Sequence, residues 1–252
     1  MSKLQYESNH YDALYAEPDY PADTAACALL QDHYIKAVKT CMKKYAHPDI
    51  LSIGCGTGYY ELRLAPLAGS VTCIELSEKA VSMARMRASA LGIRNIQFIK
   101  GDGRTFQRLL PGMKFDLIMA IGFLHHLSDS DIDRLIANVR QVLKQHGRFI
   151  TMDPNRYRAV GLLKRFVSPL IQRYHSAEER ELSPRNIQRL FIRYQYSSAA
   201  TYYIDYFLNP LIWVFPKCPP GLIKLLMPFD RLLTKIPVIR YFGNLFVCIA
   251  GR

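Results

Sequence analysis

Residues 49–61 read Asp49-Ile50-Leu51-Ser52-Ile53-Gly54-Cys55-Gly56-Thr57-Gly58-Tyr59-Tyr60-Glu61. An apolar strand runs into a turn with glycine at every second position, and the turn opens a helix. Glycine there accepts positive φ and lets the backbone approach a ligand with no Cβ in the way. The next apolar segment, Val71-Thr72-Cys73-Ile74, ends on Glu75. A carboxylate at that strand tip is placed to hold the two hydroxyls of a nucleoside ribose.

Strand–helix units continue outward from this turn. Strand Ile50–Ile53 leads to a helix over Tyr59–Leu67, and strand Ser70–Ile74 to a helix over Ser77–Leu91, with Ser77 as N-cap and Gly92 as stop. Strand Ile96–Ile99 precedes a short helix over Thr105–Leu109. Strand Phe115–Ile121 precedes a helix over Ser130–Lys144, and strand Arg148–Met152 closes the series. Such alternation predicts an α/β fold, a doubly wound, Rossmann-like parallel sheet with helices on both faces. Upstream, residues 1–24 read as an irregular arm and residues 25–46 as a helix. After Asp153-Pro154-Asn155 the rhythm changes. Residues 157–174 show a basic amphipathic helical pattern, a helix starts at Ser183-Pro184, and Ala199–Phe207 and Leu245–Ala250 read as strands. Residues 208–244 form an insertion between those two strands, far longer than a hairpin turn.

With 252 residues, half of them apolar, the chain fits one α/β domain with a full core. Its six cysteines show neither C-x-x-C nor zinc spacing, so buried free thiols in a reducing cytoplasm are expected, and no metal site. The first six residues hold no apolar stretch of the secretory type. The net charge of +12 is uneven: residues 1–152 carry 18 Lys+Arg against 15 Asp+Glu, whereas residues 153–252 carry 15 against 6. A basic, aromatic C-terminal third suits anionic lipid, a phosphorylated substrate or nucleic acid. No uncharged run is long enough to cross a bilayer.

The glycine turn, Glu75, Asp102 in Lys100-Gly101-Asp102-Gly103, Phe115-Asp116-Leu117-Ile118 and Leu124-His125-His126-Leu127 together resemble the class I S-adenosylmethionine (SAM)-dependent methyltransferases. The resemblance covers about residues 45–155 and is similar to the small-molecule branch that includes the ubiquinone and menaquinone C-methyltransferases. A Rossmann dehydrogenase would want its third glycine three residues after the second, and here it comes after two. The resemblance implies a seven-stranded sheet with an antiparallel last strand, and helical cover elements from the C-terminal third. It implies an arm and helix (1–48) closing the cofactor site, a SAM-binding core (49–153), and the remaining strands with a basic, aromatic substrate cover (154–252).

The same resemblance assigns Gly54, Cys55, Gly56 and Gly58 to the methionine end and ribose, Glu75 to the ribose hydroxyls, and Asp102 and Gly103 to adenine. Leu76 and Gly122-Phe123 would sandwich the adenine or line its edge, and Tyr11 of the arm would close over SAM. Ser52 departs from the pattern, since the family often has an acidic residue there. His125 and His126 follow the fourth strand, where an acceptor should sit, and are candidate bases. Asp153 is a further pocket candidate. Expected partners are a small or lipid-like acceptor and an anionic membrane surface, the latter in competition with a lid that merely packs on the sheet. Ala120-Ile121-Gly122-Phe123 stands where amino-methylating DNA enzymes carry Asn/Asp-Pro-Pro-aromatic, which argues against nucleic acid. A SAM-binding partner subunit without activity is the reading from another class.

Overall fold

The structure, a computed structural model, describes residues 3–17, 20–163, 176 and 179–252. Seven strands form one sheet: β1 (Asp49–Ile53), β2 (Ser70–Glu75), β3 (Ile96–Lys100), β4 (Phe115–Ile121), β5 (Leu143–Pro154), β6 (Ser198–Ile204) and β7 (Leu245–Gly251). Their order is β3-β2-β1-β4-β5-β7-β6, and β7 runs antiparallel to both β5 and β6. The expected mixed sheet is therefore present. Its order reverses between β1 and β4, so a crevice opens beyond the carboxyl ends of these two strands.

The helices are α1 (Lys3–Leu14), α2 (Ala25–Met42), α3 (Tyr59–Leu64), α4 (Glu78–Ala90), α5 (Phe106–Leu109), α6 (Asp129–Val142), α7 (Pro184–Arg193), α8 (Leu208–Val214) and α9 (Pro220–Leu233). Successive strand residues point to opposite faces, so β1 feeds two cores. Ile50 joins Leu117, Met119 and Ile150 under Leu30, Tyr34 and Val38 of α2. Leu51 and Ile53 join Ile118, Ala120 and Phe149 under Ile132, Leu135 and Phe191 of α6 and α7. A strand covered on both sides reads as a continuous apolar run, as Ile50-Leu51 and Ile53 do. All six cysteines are buried and free.

Two expectations change, and the insertion 208–244 takes the helical form that the resemblance implies. Residues 1–24 are not an irregular arm, because Lys3–Leu14 forms a helix. Its own periodicity is weak, and tertiary contacts hold it. Asp12 Oδ1 accepts from Ser77 Oγ (2.5 Å) and the Lys79 amide (3.0 Å), so α1 caps the start of α4. The insertion 208–244 is two helices, α8 and α9, followed by a 3-10 turn at Ile239–Phe242. Of the basic helix expected over 157–174, Ala159–Leu163 forms a 3-10 turn and residues 164–174 lie outside the described residues. No helix among the described residues is long and apolar enough to cross a membrane.

Candidate cofactor and acceptor site

The glycine turn has φ values of +74° at Gly54, +53° at Gly56 and +77° at Gly58. A Cβ on Gly54 would stand 2.4 Å from Phe123 Cδ2, so only glycine lets β1 and the β4 loop close here. Gly58 serves the scaffold instead: it starts α3, packs against Phe98 and Ala84, and borders neither cavity described below. Glu75 clamps the turn. Its Oε2 accepts from the Gly56 amide (2.8 Å) and its Oε1 from the Ser77 amide (2.9 Å). Burial raises its pKa and these amides oppose that rise. A carboxylate has about four acceptor positions, so each oxygen retains capacity for a ribose hydroxyl.

Ser52 is not a simple loss of polarity. Its hydroxyl donates to Glu61 Oε1 at 2.6 Å, and both residues are buried. Glu61, on the first turn of α3, thus brings a carboxylate beside the position where the family often has one on β1. Its Oε2 takes no hydrogen bond among the described residues, and the residue borders the larger cavity. Burial pushes its pKa from 4.5 to about 7. An orphaned buried carboxylate oxygen beside a glycine turn suits an ammonium group.

Glu75, Leu76, Asp102, Gly103 and Phe123 border a cavity of about 90 Å³, roofed by Leu4, Glu7, Tyr11 and Tyr15. Asp102 caps the turn after β3 and is held by Arg104, whose Nε lies 3.0 Å from both carboxylate oxygens. The Phe123 ring packs on the bare faces of Gly54 and Gly103 and borders the same cavity as Leu76. Leu76 faces α1, its carbonyl accepting from Ser8 Oγ at 3.4 Å. The cavity is smaller than the about 150 Å³ that admits benzene, so a nucleoside requires α1 or Phe123 to shift.

His125 and His126 sit on a 3-10 turn after β4, with ring centroids 3.9 Å apart, and they differ. His125 Nδ1 lies 3.0 Å from Oδ1 of Asp153, and the same oxygen accepts from the His125 amide at 3.1 Å. Asp153 ends β5 fully buried, and burial pushes it up to about 8 against the pull of these backbone donors. In the tautomer that carries its proton on Nδ1, His125 donates to Asp153 and presents its lone pair on Nε2. His126 Nδ1 is 3.0 Å from the Tyr11 hydroxyl, which donates to Glu179 Oε1 at 3.2 Å. Burial and the neighbouring His125 lower His126 to about 3, so it stays neutral.

A second cavity, of about 570 Å³, begins at the glycine turn and His125 and extends under α8. Its far wall is aromatic and apolar, with Tyr20, Tyr34, Phe207, Leu211, Trp213 and Phe215. Tyr20 meets Trp213 edge to face at 5.9 Å, joining the segment after α1 to the insertion. Arg158, the one Lys or Arg on the wall among the described residues, is paired with Glu181 at 2.7 Å. Gly54, Cys55, Gly56, Tyr11, His125 and His126 therefore border the larger cavity, and Glu75, Leu76, Asp102 and Gly103 the smaller one. Sequence reasoning missed Glu61, Tyr15 and Glu179. Only Glu61 left a signal, as an acidic residue in the helix turn facing a strand that lacks its own.

The switch-point crevice, the glycine turn and the strand-tip carboxylate define a nucleoside-cofactor-binding α/β protein. A family profile described as a methyltransferase domain matches residues 50–147. The chain is 29% identical over 116 residues to the uncharacterized methyltransferase YcgJ of Bacillus subtilis, covering 46% of this chain and 44% of that protein. It is 30% identical over 167 residues to a protein-L-isoaspartate O-methyltransferase of Methanoregula boonei, covering 63% of this chain and 76% of that one. The first of these alignments spans less than half of its relative's length. Magnesium protoporphyrin IX methyltransferase (ChlM) from Synechocystis PCC 6803, solved with bound SAM, shares the fold, with a TM-score of 0.61 at 12% identity over 100% of this chain and 98% of that one. The chain belongs to the class I SAM-dependent methyltransferase family.

Proposed function

We propose that the protein transfers a methyl group from SAM to a small apolar or amphiphilic acceptor. The observation that carries this reading is the single cavity running from the glycine turn and His125 to the aromatic wall under α8. The residues present suit the cofactor. Glu61 and the turn would take the methionine end, Glu75 the ribose hydroxyls, and Asp102 with the Gly103 amide the adenine edge. Bound SAM supplies an electrophilic methyl on a sulfonium, so alignment and exclusion of water provide much of the acceleration.

The chain's own groups then have distinct tasks. Tyr11, Tyr15 and Tyr20 shut the cleft from water. His125, oriented by Asp153, would accept a proton from an oxygen, nitrogen or acidic carbon nucleophile. His126 stays neutral and anchors α1 through Tyr11.

The test is a labelled-methyl transfer from SAM to organic-solvent and aqueous extracts of the source cell. Label in an extractable small molecule, lost in His125→Ala, supports the proposal. SAM binding with no labelled product in any fraction would favour a partner subunit without activity.

A further inference from the structure

The insertion 208–244 was expected either to cover the acceptor or to meet a membrane, and α9 has a face for each. Ile223 and Asp230 are buried, and Leu226 and Met227 pack on the core beside α2. Leu222, Leu225, Phe229 and Leu232 follow a 3-4-3 spacing, which puts them on one stripe of the helix. All four are exposed, Leu225 at 75%. Phe215 before the helix, and Val238, Tyr241 and Phe242 after it, are also exposed. A stripe of four large, exposed apolar side chains on one face of a helix marks an interaction site.

Charge indicates the occupant. Residues 208–244 hold five basic residues and one acidic one. That one, Asp230, is turned inward, where its Oδ1 accepts from the Tyr206 and Phe207 amides, both at 2.9 Å. Lys217, Lys224, Lys235 and Arg240 are exposed around the stripe. Within 208–244, the exposed charged residues are thus all cationic. A second copy would bring cations against cations, whereas an anionic lipid surface matches both the stripe and the rim. The face also continues into the acceptor cavity. Phe229 lies 6.1 Å, centroid to centroid, from Phe207, and Phe207 and Phe215 both border that cavity.

We infer that the outer face of α9, with Phe215 and the 238–242 turn, docks on an anionic membrane surface and draws an amphiphilic acceptor from it. Docking itself does not depend on methyl transfer, so the two can fail separately. The test is flotation of the whole chain with phosphatidylglycerol-containing vesicles, and with pure phosphatidylcholine vesicles. Calorimetry with S-adenosylhomocysteine on each variant reports the cofactor site.

Wild-type protein should float with the anionic vesicles, and raising salt from ~0.05 to ~0.5 M should release it, because screening shortens the reach of the rim charges. Leu225→Glu with Phe229→Glu should reduce partitioning by roughly tenfold or more. Lys224→Glu with Lys235→Glu should reduce it by about fivefold per residue or more. Both pairs are exposed, so far-UV circular dichroism melts and cofactor affinity should match wild type. Absence of flotation with anionic vesicles at low salt would overturn the inference. So would equal binding by the Leu225/Phe229 variant, or a wild-type dimer that this variant dissociates while vesicles recruit neither.

Discussion

Replacing Glu61 by glutamine should stabilise the protein and weaken its cofactor binding at once. Glu61 is buried, and among the described residues its Oε1 accepts from Ser52 at 2.6 Å while its Oε2 has no partner. Burial raises its pKa from 4.5 to about 7. A group whose folded-state pKa lies above its unfolded value contributes stability that is fully present below about 4.5 and is lost as pH rises through about 7. At pH 8 the ionised group therefore costs about 3 kcal/mol relative to its neutral form. Glutamine keeps the shape and the Ser52 bond and never ionises. Glu61→Gln should match wild type near pH 4 and exceed it by about 3 kcal/mol at pH 8, roughly 5–10 °C in Tm.

Binding should move the other way. S-adenosylhomocysteine carries the ammonium that would meet Glu61, and a charge-assisted hydrogen bond contributes about 1.5–3 kcal/mol, so its Kd should rise ten- to about 150-fold. Wild-type affinity should fall by up to about tenfold per pH unit below pH 7, where a proton must be displaced, and the variant should lack that slope. Calorimetric titrations and thermal melts at about pH 5, 6, 7 and 8 read both effects. Wild-type affinity in the variant, or a stability difference that does not change with pH, would refute the reasoning.

Four further outcomes follow from the site. Gly54→Ala should destabilise by about 2–4 kcal/mol, from a strained positive φ and a Cβ 2.4 Å from the Phe123 ring, with partial rescue by Phe123→Ala in urea melts. Asp12→Ala should cost about 1 kcal/mol by uncapping α4, and should speed amide exchange in α1 together with release of S-adenosylhomocysteine. Asp153→Asn should slow labelled-methyl transfer by roughly 10²-fold without changing cofactor affinity, because it disturbs only the orientation and protonation of His125. Because burial raises Asp153 to about 8, the same change should remove a loss of stability between about pH 4 and 8, seen as a flatter profile of Tm against pH.

The fold was legible where local chemistry and burial agree. Ile50-Leu51 and Ile53 are apolar on both faces because both faces of β1 are covered, and the glycines at 54, 56 and 58 mark the turn that follows. α1 was not legible, since its order comes from partners such as Ser77 and His126, which lie 65 and 115 residues away in the chain. The candidate site divided in the same way. Glu75 stands at a strand tip and could be read from position. Glu61 left only an acidic residue in the helix turn as a signal, and its meaning depends on Ser52 packing beneath it. The two histidines are adjacent in sequence, yet Asp153 reaches only His125 and Tyr11 only His126. The insertion between β6 and β7 showed its charge in the sequence. Which of its apolar residues turn inward depended on how α9 rotates to bury Asp230.

The central claim, that the turn at 54–58 with Glu75 binds SAM, is tested most directly by calorimetry with SAM and with NAD on wild type and Glu75→Ala. One-to-one binding of SAM alone, weakened at least tenfold in the variant through loss of the ribose contacts, is the predicted result. Binding of NAD in place of SAM, or SAM affinity unchanged in Glu75→Ala, would contradict it.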